Sequence, residues 1–244
     1  MSLANASPTE NHLLHLLPAL TRNRLLQHGE QVDLLFGHTL HLVDTPMTFV
    51  YFPVSGFISV IASVPDHPAL EVGVIGNEGM LGVSYVLGIA EAPLQAIVQG
   101  AGTALRIPLG AFRNVLDTDP DLRLQLNRYL YLLMTQLPKT LACTHFHEVG
   151  PRLARWLLLT HDRAHSDHLQ LTHQFLADML GVQRSAITIA AGLLQKRKLI
   201  QYFRGSIQIC NRAGLRAAAC RCYDIANEDY RRIIDEARRA PSVH

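Results

Sequence analysis

Cysteine is scarce in this 244-residue sequence: four stand at Cys143, Cys210, Cys220 and Cys222, and none precedes them. So few, so irregularly spaced, exclude a disulfide-framed small domain and read as free thiols in a reducing compartment. Long apolar runs are missing too. Stretches such as 156–159 fall far short of the roughly 20 residues a membrane-spanning helix needs. Residues 1–10 lack the basic flank, apolar centre and small-residue cleavage site of a secretory leader. Charge of one sign is also absent: 22 Lys and Arg face 20 Asp and Glu, a net charge of +2. Bulk electrostatics therefore does not announce a nucleic acid, and any such reading must come from local pattern. No phosphate-cradling glycine loop, nucleophile elbow or paired-carboxylate motif is present, which argues against an enzyme. His161 and His165 sit four apart but enclose Asp162 where a zinc hydrolase helix needs Glu, and His145 and His147 alternate near Cys143. Neither pair singles out a ligand set, so no metal site is assigned. The expectation is a cytoplasmic protein with no membrane partner.

What is there is a chain able to fold. Apolar residues make up 48% and charged residues 17%, enough for real cores in one or two domains. Leu13, Leu14, Leu17, Leu20 and Leu25 fall near helical spacing, interrupted by Pro18, and predict short N-terminal helices. From Gly29 to about Leu116 the texture becomes short β-branched and aromatic runs at 49–52, 57–62, 69–75, 96–99 and 104–107. Gly, Pro and Asp punctuate them, as in a small β-roll. Asp119 and Pro120 then open a helix in which Leu122, Leu126, Leu130, Leu133, Leu137 and Leu141 recur at steps of four or three. That stripe predicts a helix pair at a dimer interface through Leu126, Leu130, Leu133 and Leu137. The other reading is that it packs on its own roll. Pro138 is expected to kink or end the helix.

The segment 171–209 carries the sharpest pattern. Thr172 can cap a helix whose buried face is Leu176, Met179 and Leu180, with Leu171 at the staple position. Ala177 leaves room for a second helix, and Gly181 permits a sharp turn. The second helix, about 183–195, would bury Ile187, Ala191 and Leu194. Gln183, Arg184, Ser185 and Thr188 would then project near its start, where a recognition helix meets base edges. The segment 199–209 reads as a hairpin turning at Arg204-Gly205, a wing that puts Arg204 at phosphates. The bland alternative is a two-helix hairpin that touches no nucleic acid.

With Leu171-Thr172, Gly181-Val182-Gln183-Arg184-Ser185 and Leu199-Ile200 in order, the chain resembles the Crp/Fnr superfamily. The resemblance implies an α+β fold: helical start and cyclic-nucleotide-binding-like β-roll (1–116), long dimerisation helix and hinge (117–149), and winged helix-turn-helix with a helical tail (150–244). It places Arg184 at the principal base-reading position and Thr172, His173 and Gln174 at phosphates. It implies double-stranded DNA, a second copy of the chain and RNA polymerase as partners. The effector positions match less well. Glu78, Gly79, Met80, Leu94 and Gln95 fall where nucleotide-binding members hold the ribose and cyclic phosphate. Leu94 and Gln95 supply no positive charge to a buried anion, which argues against cyclic AMP. An iron–sulfur cluster is disfavoured because no cysteine precedes Cys143. The cofactor is thus left unassigned, with a histidine-based metal or haem sensor, or a roll regulated by protein contact, as alternatives.

Overall fold

The computed structural model describes residues 10–67 and 69–236. Most of the leader reading at 1–10 and the end of the tail lie outside these residues. Two short helices, α1 (His12–Leu16) and α2 (Ala19–Leu26), precede a roll of seven strands. These are β1 (Glu30–Leu34), β2 (Thr39–His41), β3 (Phe49–Pro53), β4 (Phe57–Ala62), β5 (Leu70–Ile75), β6 (Gln95–Gly100) and β7 (Gly102–Pro108). They form two antiparallel sheets, β1-β7-β3 and β2-β6-β4-β5. The five expected strands are present within a residue or two. β1 and β2 were not foreseen, because the sequence of β1, Glu-Gln-Val-Asp-Leu, buries only Leu34 fully and shows no alternation to read.

Helix α3 (Leu109–Thr118) was also not foreseen; it occupies the stretch read as the end of the strand-rich region. α4 (Pro120–Phe146) then starts where expected. The Asp119 side chain accepts from the Leu122 amide, and Pro120 takes a first-turn position where no amide is needed. α4 runs on through Pro138 for 27 residues rather than ending there. Pro138 is exposed, so its missing amide is lost from a solvated flank.

The leucine stripe divides in two. Leu122, Leu126, Tyr129 and Leu132 are buried in the chain's own core with Val50, Phe52, Met80, Ile107 and Phe112. Leu126 is therefore a core residue and not part of a dimer seam, which corrects the expectation. Leu130 and Leu133 pack half-buried on the flank of that core. Leu124, Tyr131, Met134, Leu137 and Leu141 stand at least half exposed.

After α5 (Val149–Ala164), the strand β8 (His168–Gln170) leads into α6 (His173–Leu180), α7 (Arg184–Lys196), the hairpin β9 (Ile200–Phe203) and β10 (Ser206–Ile209), and helices α8 (Arg212–Ala218) and α9 (Cys222–Tyr230). β8 completes the sheet β8-β10-β9 within a stretch that had no strand assigned. The last described residues, Arg231–Glu236, form a π-helical turn. Ile233 and Ile234 there return to the core of the roll.

Two polar clasps join the roll to α5. Arg163 Nε donates to Glu78 Oε1 at 2.8 Å, with both side chains about nine-tenths buried. Trp156 Nε1 donates to Glu71 Oε1 at 2.6 Å, and Ser59 Oγ donates to the other oxygen at 2.5 Å. Burial pushes the Glu71 carboxyl up from 4.5 to about 7, against the hydrogen bonds that favour its charged form. Below about pH 4.5 both folded and unfolded chains hold this proton. Between about 4.5 and 7 only the folded chain keeps it, so the associated stability falls as pH rises and is gone above about 7. The thermal midpoint should accordingly decline over this window more steeply in the native protein than in Glu71→Gln. Equal slopes in scanning calorimetry would contradict this account.

Candidate nucleic-acid interface

The first helix of the pair is fixed at both ends by its own sequence. Thr172 Oγ1 accepts from the Phe175 amide at 3.1 Å, the N-cap that was expected. At the other end Gly181 adopts φ 63°. Its amide bonds the Asp178 carbonyl at 3.2 Å, and the Val182 amide bonds Ala177 at 3.0 Å. That pair of bonds is the left-handed glycine stop that turns the chain sharply into α7.

Burial then decides what α7 can offer. Ile187, Ala190, Ala191 and Leu194 face the domain core beside Leu176, Ala177 and Leu180. A helical period of 3.6 leaves Arg184, Ser185, Thr188, Ile189 and Leu193 on the solvent side, and all are exposed. Gln183 is the exposed N-cap. Ile189 and Leu193, at 66% and 57% exposure, were not among the expected residues. The signal was present: two large apolar side chains one turn apart, out of phase with the buried set. On a base-reading helix such groups can meet thymine methyls.

Thr188 is not a free hydroxyl. It donates to the Arg184 carbonyl at 3.0 Å, so its oxygen receives His173 Nδ1–H at 3.1 Å. The His173 ring stacks on Tyr202 of β9, centroids 4.1 Å apart. Burial, and then the positive charge of Arg184, hold the His173 pKa below its ordinary value. A neutral ring that donates through Nδ1 carries a bare Nε2, which cannot donate to a phosphate. His173 thus sits as a brace between α7 and the wing, a placement different from the expected phosphate contact. Gln174 donates its amide to Asp178 at 2.8 Å on its own helix.

The wing turn has both central residues at positive φ, Arg204 at 47° and Gly205 at 81°. This is the tight turn that matches strand twist. The Leu171 amide donates to the Gly205 carbonyl at 2.7 Å, and a Cβ on Gly205 would lie 3.4 Å from Thr172. The turn bearing Arg204 is therefore tied to the start of α6, which brings Thr172 and Arg204 to one edge. Among the described residues Arg184, Arg204, Lys196, Arg197 and Lys198 have no ion-pair partner, and all are exposed, with the Arg204 guanidinium 5.1 Å over the Phe203 ring. Arg184 stands at the start of α7, Lys196, Arg197 and Lys198 at its end, and Arg204 on the wing turn, and such unpaired cations present donors suited to an anionic backbone.

Residues 151–218 match the family model described as the Crp-like helix-turn-helix domain. The Crp-like domain continues a fold that spans the chain. A Crp/Fnr-family regulator from Eubacterium rectale superposes with TM-score 0.66 at 15% identity, covering 85% of this chain and 97% of that one. FixK2 of Bradyrhizobium japonicum gives 0.66 at 14% identity, over 79% and 98%. A Crp/Fnr regulator of Thermus thermophilus gives 0.63 at 21%, over 78% and 98%. The roll, long helix and Crp-like domain thus share the Crp/Fnr fold. No curated protein matches the sequence.

Of the expected effector residues, Glu78, Gly79 and Met80 are engaged in pairing or packing. Met80 is fully buried in the core, and Glu78 is paired with Arg163. A Cβ at Gly79 would stand 2.1 Å from the Tyr129 hydroxyl, so this glycine is a packing requirement. Leu94 and Gln95 are half-buried at the start of β6. A cleft of about 240 Å³ lies elsewhere, lined by His161, Asp162, His165, Ser166, Asp167 and Arg212. His161 is hydrogen-bonded to Asp167 at 2.7 Å, and Asp162 is occupied by Arg212 and Tyr223. No helix of the described residues is long and apolar enough to cross a membrane.

Thr172→Ala should remove the α6 cap and lower unfolding free energy by about 1 kcal/mol in urea titration. No change in the midpoint would show that the cap contributes nothing.

Proposed function

We propose that the protein is a homodimeric, sequence-specific DNA-binding transcription regulator of the Crp/Fnr type. The observation that carries this reading is α7. Its core-facing residues force Arg184, Ser185, Thr188 and Ile189 outward together, beside a wing whose Arg204 has no ion-pair partner. Arg184 near the helix start can donate two hydrogen bonds to guanine O6 and N7. Ser185 and Gln183 flank it, and Thr188, one turn on, is held by His173 on the same exposed face. Thr172 and Arg204 hold phosphates at the edge.

The second copy is assigned to the exposed side of α4. Tyr131, Met134, Leu137 and Leu141 line it, with Leu130 and Leu133 half-buried on its border. A two-helix seam there would set two copies of α7 about one turn of duplex apart, and a palindromic site follows from that symmetry. RNA polymerase is the partner of such a regulator at a promoter. The effector is one other than cyclic AMP, or none. Glu78 is committed to Arg163, and neither Leu94 nor Gln95 can neutralise a cyclic phosphate.

Arg184→Ala should lose on the order of 1 to 3 kcal/mol of affinity for a selected site and relax preference at one base pair per half-site. Fluorescence anisotropy across single-base variants of that site reads both effects. Unchanged affinity and base preference would sink the assignment of Arg184.

A further inference from the structure

We infer that Cys143, His147, Cys220 and Cys222 form a binding site for one zinc-class divalent cation. Their ligand atoms, three Sγ and one imidazole nitrogen, all lie within 4.8 Å of one another. The Cys143 and Cys220 sulfurs stand 3.5 Å apart, and Cys222 Sγ lies 3.6 Å from His147 Nδ1. A tetrahedral zinc with bonds of about 2.3 Å to sulfur and about 2.0 Å to nitrogen sets its ligand atoms roughly 3.5 to 3.8 Å apart. The Cys143–Cys220 and Cys222–His147 edges are already about that length, and the remaining separations, at most 4.8 Å, need only a small inward shift. Three thiolates and an imidazole favour zinc over magnesium or calcium, which take oxygen ligands. Donors this close surround a single ion, with no room between them for the several irons of a cluster.

Each ligand is placed by a separate device. Cys143 is buried in the last turn of α4. His147 caps that helix four residues on, its amide bonded to the Cys143 carbonyl at 3.1 Å. Cys220 and Cys222 flank the junction of α8 and α9, and the Cys220 amide is bonded to the Pro151 carbonyl at 3.3 Å at the start of α5. The charge beside the cluster fits as well. Arg155 acts electrostatically on Cys143, Cys220 and Cys222. Its Nε is buried with no hydrogen-bond partner among the described residues. Binding releases three thiol protons to solvent and leaves three thiolates on a dication, a net charge of −1 that Arg155 offsets.

The bonds from Cys143 to Cys220 would close a loop 77 residues long. That loop contains the whole Crp-like domain, so the ion would fix the hinge between long helix and DNA-binding domain. The site does not depend on what the domain binds.

Protein stripped by chelator and kept reduced is titrated with Co²⁺ and then Zn²⁺. One Co²⁺ per chain is expected, with thiolate-to-cobalt charge transfer and the visible bands of tetrahedral cobalt, displaced by one Zn²⁺. Cys222→Ser and the exposed-site variant His147→Ala should keep the native circular dichroism and bind Zn²⁺ about a hundredfold or more weakly. Cys210→Ser, remote and exposed, should bind as the native chain does. The inference is overturned if no stoichiometric tetrahedral spectrum forms, if His147→Ala and Cys222→Ser retain full affinity, or if Cys210→Ser loses as much as they do.

Discussion

One helix has to serve two masters, and the rest of the molecule follows from how α4 divides its surface. Its inner face must fill the roll, so Leu122, Leu126, Tyr129 and Leu132 are committed to Val50, Phe52 and Phe112. At 3.6 residues per turn the opposite face, Leu124, Tyr131, Met134 and Leu141, cannot reach that core and stays apolar and uncovered. The same helix ends at Phe146, and only His147 and Glu148 separate it from α5, which opens the Crp-like domain. Roll packing, an uncovered apolar surface, and the position of the Crp-like domain are therefore set along a single rigid element.

Between α5 and the roll the clasps are polar and buried, while the tail adds Ile233 and Ile234 to the roll's apolar core. Arg163 with Glu78, and Trp156 with Glu71, join the Crp-like domain to the roll through directional bonds that tolerate little sliding. A buried ion pair is weak evidence of stability, since desolvation offsets most of its attraction. What it provides is a defined geometry: an arrangement that leaves Arg163 or Glu78 unpaired in a buried site is costly. A regulator that switches between two orientations would need such discrete contacts, made in one orientation and exchanged in the other.

The Crp-like domain was legible because its determinants are local. Thr172, Gly181, the 187-190-191-194 spacing and the Arg204-Gly205 turn each act over a few residues, and each forms the element its sequence predicts. Legibility failed where a feature depends on distant chain. β1 and β2 are strands because β7 and β6 pair with them, not because of their own side chains. Leu126 and Leu137 look alike on a helical wheel, and only the roll decides that one is core and the other surface. His173 reads as a phosphate donor until Tyr202, far along the chain, is stacked on it. Cys143 and Cys220 have no sequence spacing to reveal them, because the whole Crp-like domain intervenes.

The central claim is that two copies of α7 read DNA as a symmetric pair. Selection of the native chain against a library of random duplexes tests it directly. The account predicts enrichment of an inverted repeat whose half-sites lie about one helical turn apart, roughly 10 to 10.5 base pairs centre to centre. Enrichment of no sequence, or of a single unpaired half-site, would contradict it.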